Sequence, residues 1–139
     1  MIGMRCTEKM NPEKVLRAKA RAQRKVLFQQ GGYVRTVARR SVKFRADLDA
    51  KSPPGSPPYT HREHTLRNAI MFAVERVSAV VGGTRSRIGR IAHTHEFGGV
   101  EPATRKKPRR RYPPRPIMGP ALIKSQPRLN EFWRNAIKA

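Results

Sequence analysis

Apolar residues fall at helical spacing through the first third of the chain. Val15, Ala18, Ala22 and Val26, flanked by Leu16 and Leu27, form one face, and Lys14, Arg17, Arg21, Arg24 and Lys25 form the other. The start of this helix is well marked. Asn11 can cap free backbone N–H groups, Pro12 loses nothing at the first helical position, and Glu13 opposes the positive end of the dipole. Gly31-Gly32 breaks the pattern, and each glycine costs about 1 kcal/mol inside a helix. Val34, Val37, Ala38 and Val42 then resume it, which predicts one long helix with a hinge, or two stacked helices.

From Ser52 to Pro58, four prolines exclude a helix and predict a stiff spacer. Thr60-His61-Arg62-Glu63 has the arrangement of a capping box, and a short helix through Leu66 and Ile70 is expected after it. Over residues 66–83 periodicity leaves helix and hairpin both open. The β-branched Val74, Val77, Val80 and Val81, bounded by Gly82-Gly83, favour two short antiparallel strands. Ile88, Ile91, Ala92 and His95 form the apolar face of a further helix, with Gly98 placed to end it in the left-handed conformation. Residues 100–116 are nearly devoid of apolar side chains and predict a mobile arm or an extended hairpin tip. After Pro120, Ala121 and Leu122 open a helix that Pro127 is expected to interrupt. Leu129, Phe132, Trp133, Ala136 and Ile137 give a last amphipathic helix. The pattern as a whole predicts an α+β fold: a long N-terminal helix, a short helix, a small antiparallel sheet, and C-terminal helices packed on the sheet. One domain is expected over residues 1–139, with a tail at 1–11, a Pro-rich loop at 47–60 and a basic arm at 100–116, and no internal repeat is visible.

Composition changes this picture in one respect. With 37% hydrophobic residues in 139, the core must be thin, and 31 Lys and Arg against 9 Asp and Glu give a formal charge of +22. Such a chain repels itself and attracts polyanions, so it is expected to work inside an assembly. Nucleic acid, an anionic membrane surface or acidic proteins are all suitable counterparts by charge alone. Cys6 is the single cysteine, which excludes an intrachain disulfide and a multi-cysteine zinc site. No apolar run approaches the roughly 20 residues needed to span a bilayer, and no signal-peptide pattern is present, so a soluble, unexported protein is expected.

Candidate chemistry is sparse. His93 and His95 would point about 200 degrees apart on a helix, and the zinc-protease pattern would need a second histidine at position 99, which holds Gly99. His95 is therefore expected to pack beneath the Gly98-Gly99 turn, and no metal or cofactor is expected. Asp47, Asp49, Glu96 and Glu101 lie scattered, without an elbow motif or paired carboxylates, so no catalytic residue is assigned. Gly82-Gly83-Thr84-Arg85-Ser86 lacks the spacing and lysine of a phosphate loop and reads as a strand exit. Two basic groups remain as candidate contacts to DNA phosphates or to an acidic partner: Arg17, Arg21, Arg24 and Lys25 on the first helix, and Arg105, Lys106, Lys107, Arg109, Arg110 and Arg111 in the arm. The helix stripe has no evident acidic partners at i to i+4. Its charge is single-signed.

The motif His95-Glu96-Phe97-Gly98-Gly99, followed by Arg115-Pro116-Ile117-Met118-Gly119-Pro120-Ala121-Leu122, resembles two boxes of the phage head-to-tail joining, or tail-completion, proteins. That family carries an acidic-aromatic-glycine box after a helix and an Arg-Pro-Phe-hydrophobic-Gly-Pro-Ala-Leu box before its last helix; here Ile117 stands where an aromatic is usual. Ser52–Pro58 leading into Thr65-Leu66-Arg67-Asn68-Ala69-Ile70 is similar to the family's turn before a Leu-Arg-x-x-Ile segment, with His64-Thr65 in place of Thr-Gly. The likeness runs over roughly residues 12–138. It implies a non-enzymatic virion protein, assembled in the host cytoplasm and placed at the neck, that forms a ring around the DNA channel and joins head to tail. Its implied partners are copies of itself, a head-side connector or adaptor, a tail-terminator or tail-tube protein, and genomic DNA, with no membrane. Phe97, Ile117, Met118, Leu122, Phe132 and Trp133 are the expected core or interface anchors. A stand-alone nucleic-acid-binding protein and a tail-terminator subunit are the alternatives.

Overall fold

The computed structural model describes residues 11–45, 47, 49–60, 65–76, 78–83, 87–101, 108–134 and 136. Helix α1 (Pro12–Ser41) is the spine. The Asn11 side chain accepts from the Lys14 N–H at 3.2 Å, and Arg39 and Arg40 occupy the last turn, where cations suit the dipole.

No hinge forms at Gly31-Gly32, because α1 runs unbroken through both. The reason is packing. Gly31 is buried, and a Cβ there would lie 2.7 Å from Phe72 Cδ2 and 3.2 Å from Ala79 Cβ. The glycine is thus a notch that lets a β-hairpin settle on the helix, and this contact offsets its low helix propensity. The apolar face of α1 is only partly covered. Ala22, Val26, Leu27, Val34 and Ala38 are buried, whereas Val15, Leu16 and Ala18 are exposed, so the first turns extend beyond the core.

The hairpin consists of β1 (Ile70–Val74) and β2 (Ala79–Gly83), antiparallel, with Phe72 in register with Val81. Burial alternates along β1, and Phe72 meets Phe28 of α1 edge to face at 5.1 Å between centroids. The hairpin reading of this stretch therefore holds. Helix α2 (Thr65–Asn68) is shorter than expected, since Ile70 already belongs to the strand. The capping box expected at Thr60–Glu63 involves positions 61–64, which lie outside the described residues. Thr60 itself pairs by its backbone with Phe44, and its buried hydroxyl has no partner among the described residues.

Helix α3 (Arg87–Phe97) ends at Gly98, whose φ is +73° as the sequence predicts. Strands β3 (Gly99–Glu101) and β4 (Arg110–Tyr112) form an antiparallel ribbon, which makes the basic arm a hairpin where it is described. The Pro-rich loop is more than a spacer: the Gly55 N–H donates to Pro114 O at 2.9 Å, and Arg115 Nε to Ser52 O at 3.0 Å. Helix α4 (Met118–Leu129) starts before Pro120 and is not interrupted by Pro127. Pro120 lies in the first turn, where N–H groups have no intrahelical partner, whereas Pro127 removes one bond to the preceding turn and the helix runs on through it for two residues. The chain breaks at Asn130 into the short α5 (Glu131–Arg134), so Leu129 and Phe132 belong to different helices; Ile137 lies outside the described residues.

The core is small, as the composition requires. Ala38 of α1 and Val42 just beyond its end meet Leu66, Ile70, Ile117 and Ala121, with Val37, Val81, Ala92 and Met118 packed around them. The architecture is α+β, with two two-stranded sheets among the described residues and C-terminal helices packed on α1 and the hairpin. Among the described residues no helix is long and apolar enough to cross a membrane. The notch gives a direct check on this arrangement. Gly31→Val should lower stability by about 1–3 kcal/mol despite its better helix propensity, because Phe72 must be displaced. An unchanged midpoint in urea would place the hairpin elsewhere.

Candidate functional site

The two boxes separated in sequence by the basic arm meet in space. Helix α4 opens with Ile117 as its N-cap, and an Ile side chain cannot accept a hydrogen bond from the free N–H groups of the first turn. Glu96, in the last turn of α3, supplies the acceptor. Its carboxylate takes the N–H of Ile117 at 2.7 Å, of Met118 at 3.0 Å and of Gly119 at 3.0 Å. A negative group at the positive end of a helix dipole adds to these charge-assisted bonds. The Arg115 N–H donates to the carbonyl of His95 alongside. Gly98 completes the junction: a Cβ there would come within 3.0 Å of Tyr112 O and 3.2 Å of Pro114 Cδ, so its φ and its closeness to the returning chain both demand glycine. His95 is half-buried, and desolvation, with the Arg115 charge second, pushes its pKa below the ordinary imidazole value. Glu96 escapes sequence reasoning that looks for paired carboxylates. The signal for it is an α4 entry, Ile-Met-Gly-Pro, without any capping side chain of its own.

Cations divide into two classes. Arg35 Nε and Arg39 Nε donate to Ile70 O at 3.2 and 3.3 Å, and Arg39 Nη2 to Asn68 O at 2.9 Å, which ties the start of β1 to α1. Burial, then the charges of Arg35 and Arg67, lower the pKa of Arg39. Arg128 lies over the Tyr33 ring at 5.2 Å, and Gln30 Nε2 donates to Leu129 O at 2.9 Å, fixing the end of α4. These arginines hold the fold. The stripe on α1 belongs to the second class, with Arg21, Arg24 and Lys25 exposed and outside any ion pair among the described residues. Arg17 departs from expectation, for it pairs with Glu13 one turn back at 3.1 Å. Both side chains are 76% exposed, so the pair adds little stability. Arg109, Arg110 and Arg111 are exposed on the ribbon, and Arg105, Lys106 and Lys107 lie outside the described residues.

The expected anchors separate in the same way. Ile117 is core, at 3% exposure, while Phe97 at 71%, Leu122 at 47% and Trp133 at 47% face outward. Phe132 is half-buried against Tyr33, 6.0 Å between centroids. Met118 lies between two open apolar recesses. One, of about 390 Å³, is lined by Leu66, Ile70, Phe97 and Ile117; the other, of about 400 Å³, by Leu27, Val34, Val80 and Leu122; Val81 and Met118 line both. The recesses therefore adjoin and form one apolar groove across β2. Trp133 lines neither of them.

Comparison of the chain with protein-family models, with curated proteins and with solved structures returns no match. Among the described residues no three His, Cys, Asp or Glu side chains converge on a common point, and Glu96 is engaged as a helix cap.

The junction predicts an unequal response to two substitutions. Glu96→Ala leaves two part-buried donors and one exposed donor without the carboxylate and should cost about 2–3 kcal/mol, whereas Glu96→Gln keeps one acceptor oxygen and should cost about half as much. Equal and small losses in chemical denaturation would show that water caps α4 as well as the carboxylate does.

Proposed function

We propose that this chain is a structural, non-enzymatic virion protein of the phage neck, repeated as a ring around the DNA channel and joining head to tail. One observation carries the reading: a contiguous apolar groove on either side of Met118, rimmed by exposed Phe97 and Leu122, on a chain with a core of few residues. Contiguous apolar surface of this kind marks an interaction site on a small protein. A ring repeats a heterologous contact, in which a groove on one copy receives a different face of the next. Val15 and Leu16 on the uncovered turns of α1, and Trp133 on α5, provide exposed apolar side chains on other elements. The net charge of +22 opposes packing of such copies unless a polyanion or acidic partners lie close by. DNA in the channel, a head-side connector or adaptor, and a tail-terminator or tail-tube protein fill those roles.

The resemblance to the tail-completion proteins supports the same reading through the residues that carry it. Glu96, Gly98 and the Ile117–Gly119 backbone form one junction, so the two segments that carry the resemblance meet in this chain for a physical reason. A second reading, a stand-alone nucleic-acid-binding protein, is favoured by the exposed guanidinium groups of β4, which have no ion pair among the described residues.

The groove supplies the test. Leu122→Asp puts a charge on its exposed rim and should leave the monomer's stability within about 0.5 kcal/mol. Ring formation seen by electron microscopy, and co-sedimentation with connector and tail-tube proteins, should both be lost. Wild-type assembly by this variant would remove the groove from the interface, and a wild-type chain that stays monomeric yet binds DNA tightly would favour the second reading.

A further inference from the structure

The ribbon β3–β4 holds an arrangement that the α1 stripe lacks. Arg109, immediately before β4, and Arg111, within it, are two residues apart and share a shallow trough with Val100, which is in register with Arg111. A second hollow continues from it through Val100 and Arg111 to Phe97, Tyr112 and Pro113. All three of Arg109, Arg111 and Val100 are exposed, and neither arginine has an ion-pair or hydrogen-bond partner among the described residues. Glu101 is in register with Arg110, the alternate position, and not with Arg111.

We propose that this trough is a binding site for the phosphate backbone of double-stranded DNA, read without regard to base sequence. The assignment rests on the reading of the chain as a protein that faces DNA in an assembly. Three features carry it. Residues two apart on an extended chain have Cα atoms at most about 7 Å apart, so the two guanidinium groups can reach neighbouring phosphates of one DNA strand. Each guanidinium can hold phosphate oxygens with two parallel N–H bonds, a geometry that lysine does not offer. The apolar wall of Val100 and Phe97 lowers the local dielectric and focuses the positive field at the trough. The helix stripe is less suited to this role, since Arg17 is held by Glu13.

The trough has no need of base contacts. Gly98 and Gly99 line its far end without side chains, and the junction beneath fixes the ribbon to α3 and α4. The structure thus gives the cations a rigid base on one side.

The test compares charge-matched variants of the full chain for binding to a random-sequence 20-base-pair duplex across a salt series. Arg109→Ser with Arg111→Ser should reduce the log-log salt slope by about 1.8, the value for two released phosphate contacts. Arg21→Ser with Arg24→Ser, which removes the same charge, should move it by much less. Arg109→Lys with Arg111→Lys keeps the charge and controls for folding; it should retain most of the slope while weakening binding. Equal slopes in the two Ser variants, or an unchanged slope in the ribbon variant, would overturn the proposal. So would loss of binding to polyglutamate with DNA binding intact, which would assign the trough to an acidic protein. Ring assembly measured on the same variants separates this proposal from the neck reading. A ring with an unmoved slope sinks the trough alone, and a moved slope in a chain that never assembles with virion proteins sinks the neck alone.

Discussion

The Glu96 carboxylate, held against the first turn of α4, is the contact on which the rest of the structure depends. Helix α4 brings Ile117 and Ala121 into the core and places Met118 between the two recesses, so the position of its first turn sets both. That turn begins with residues unable to cap it. The carboxylate that does so comes from α3, and α3 is itself brought to a stop by Gly98 so that the chain can turn into the ribbon. Core, groove and ribbon are therefore positioned by one junction of a few residues. This economy suits a chain whose apolar content supports only a thin core.

Scarcity of carboxylates shapes the remainder. With 9 acidic residues against 31 basic ones, the chain ties Arg35, Arg39 and Arg115 to backbone carbonyls and lays Arg35 over the Phe72 ring. Such bonds hold a cation without neutralising it. The protein consequently keeps nearly its full positive field, and the cations of the ribbon and of the α1 stripe are displayed on elements whose own stability does not use them.

Local signals were legible in the sequence and distant ones were not. Asn11-Pro12-Glu13 announced the start of α1, the β-branched run before Gly82 announced the hairpin, and Gly98 announced the end of α3, because each feature acts within a few residues of itself. Gly31 read as a hinge because its partner, Phe72, is far along the chain and only the fold brings the two together. Val15 and Leu16 belong to the apolar face that the sequence shows, yet they are exposed, since periodicity reports such a face and not what lies against it. Pro127 read as a break for the same local reason, although α4 continues through it to Leu129. Of the candidate site, the exposed basic residues were visible from composition. The role of Glu96 was hidden, because a cap supplied from another helix leaves no local pattern.

Amide hydrogen exchange at Ile117, Met118 and Gly119 in the native protein tests the central claim most directly. Backbone N–H groups held by a part-buried carboxylate open only when the junction opens, so all three should exchange as slowly as Ala38 in the core-facing turn of α1. Exchange of these three amides at the rate of the exposed loop around Lys51, with Ala38 still protected, would contradict the account and leave α4 without the anchor from which the groove and the ribbon are built.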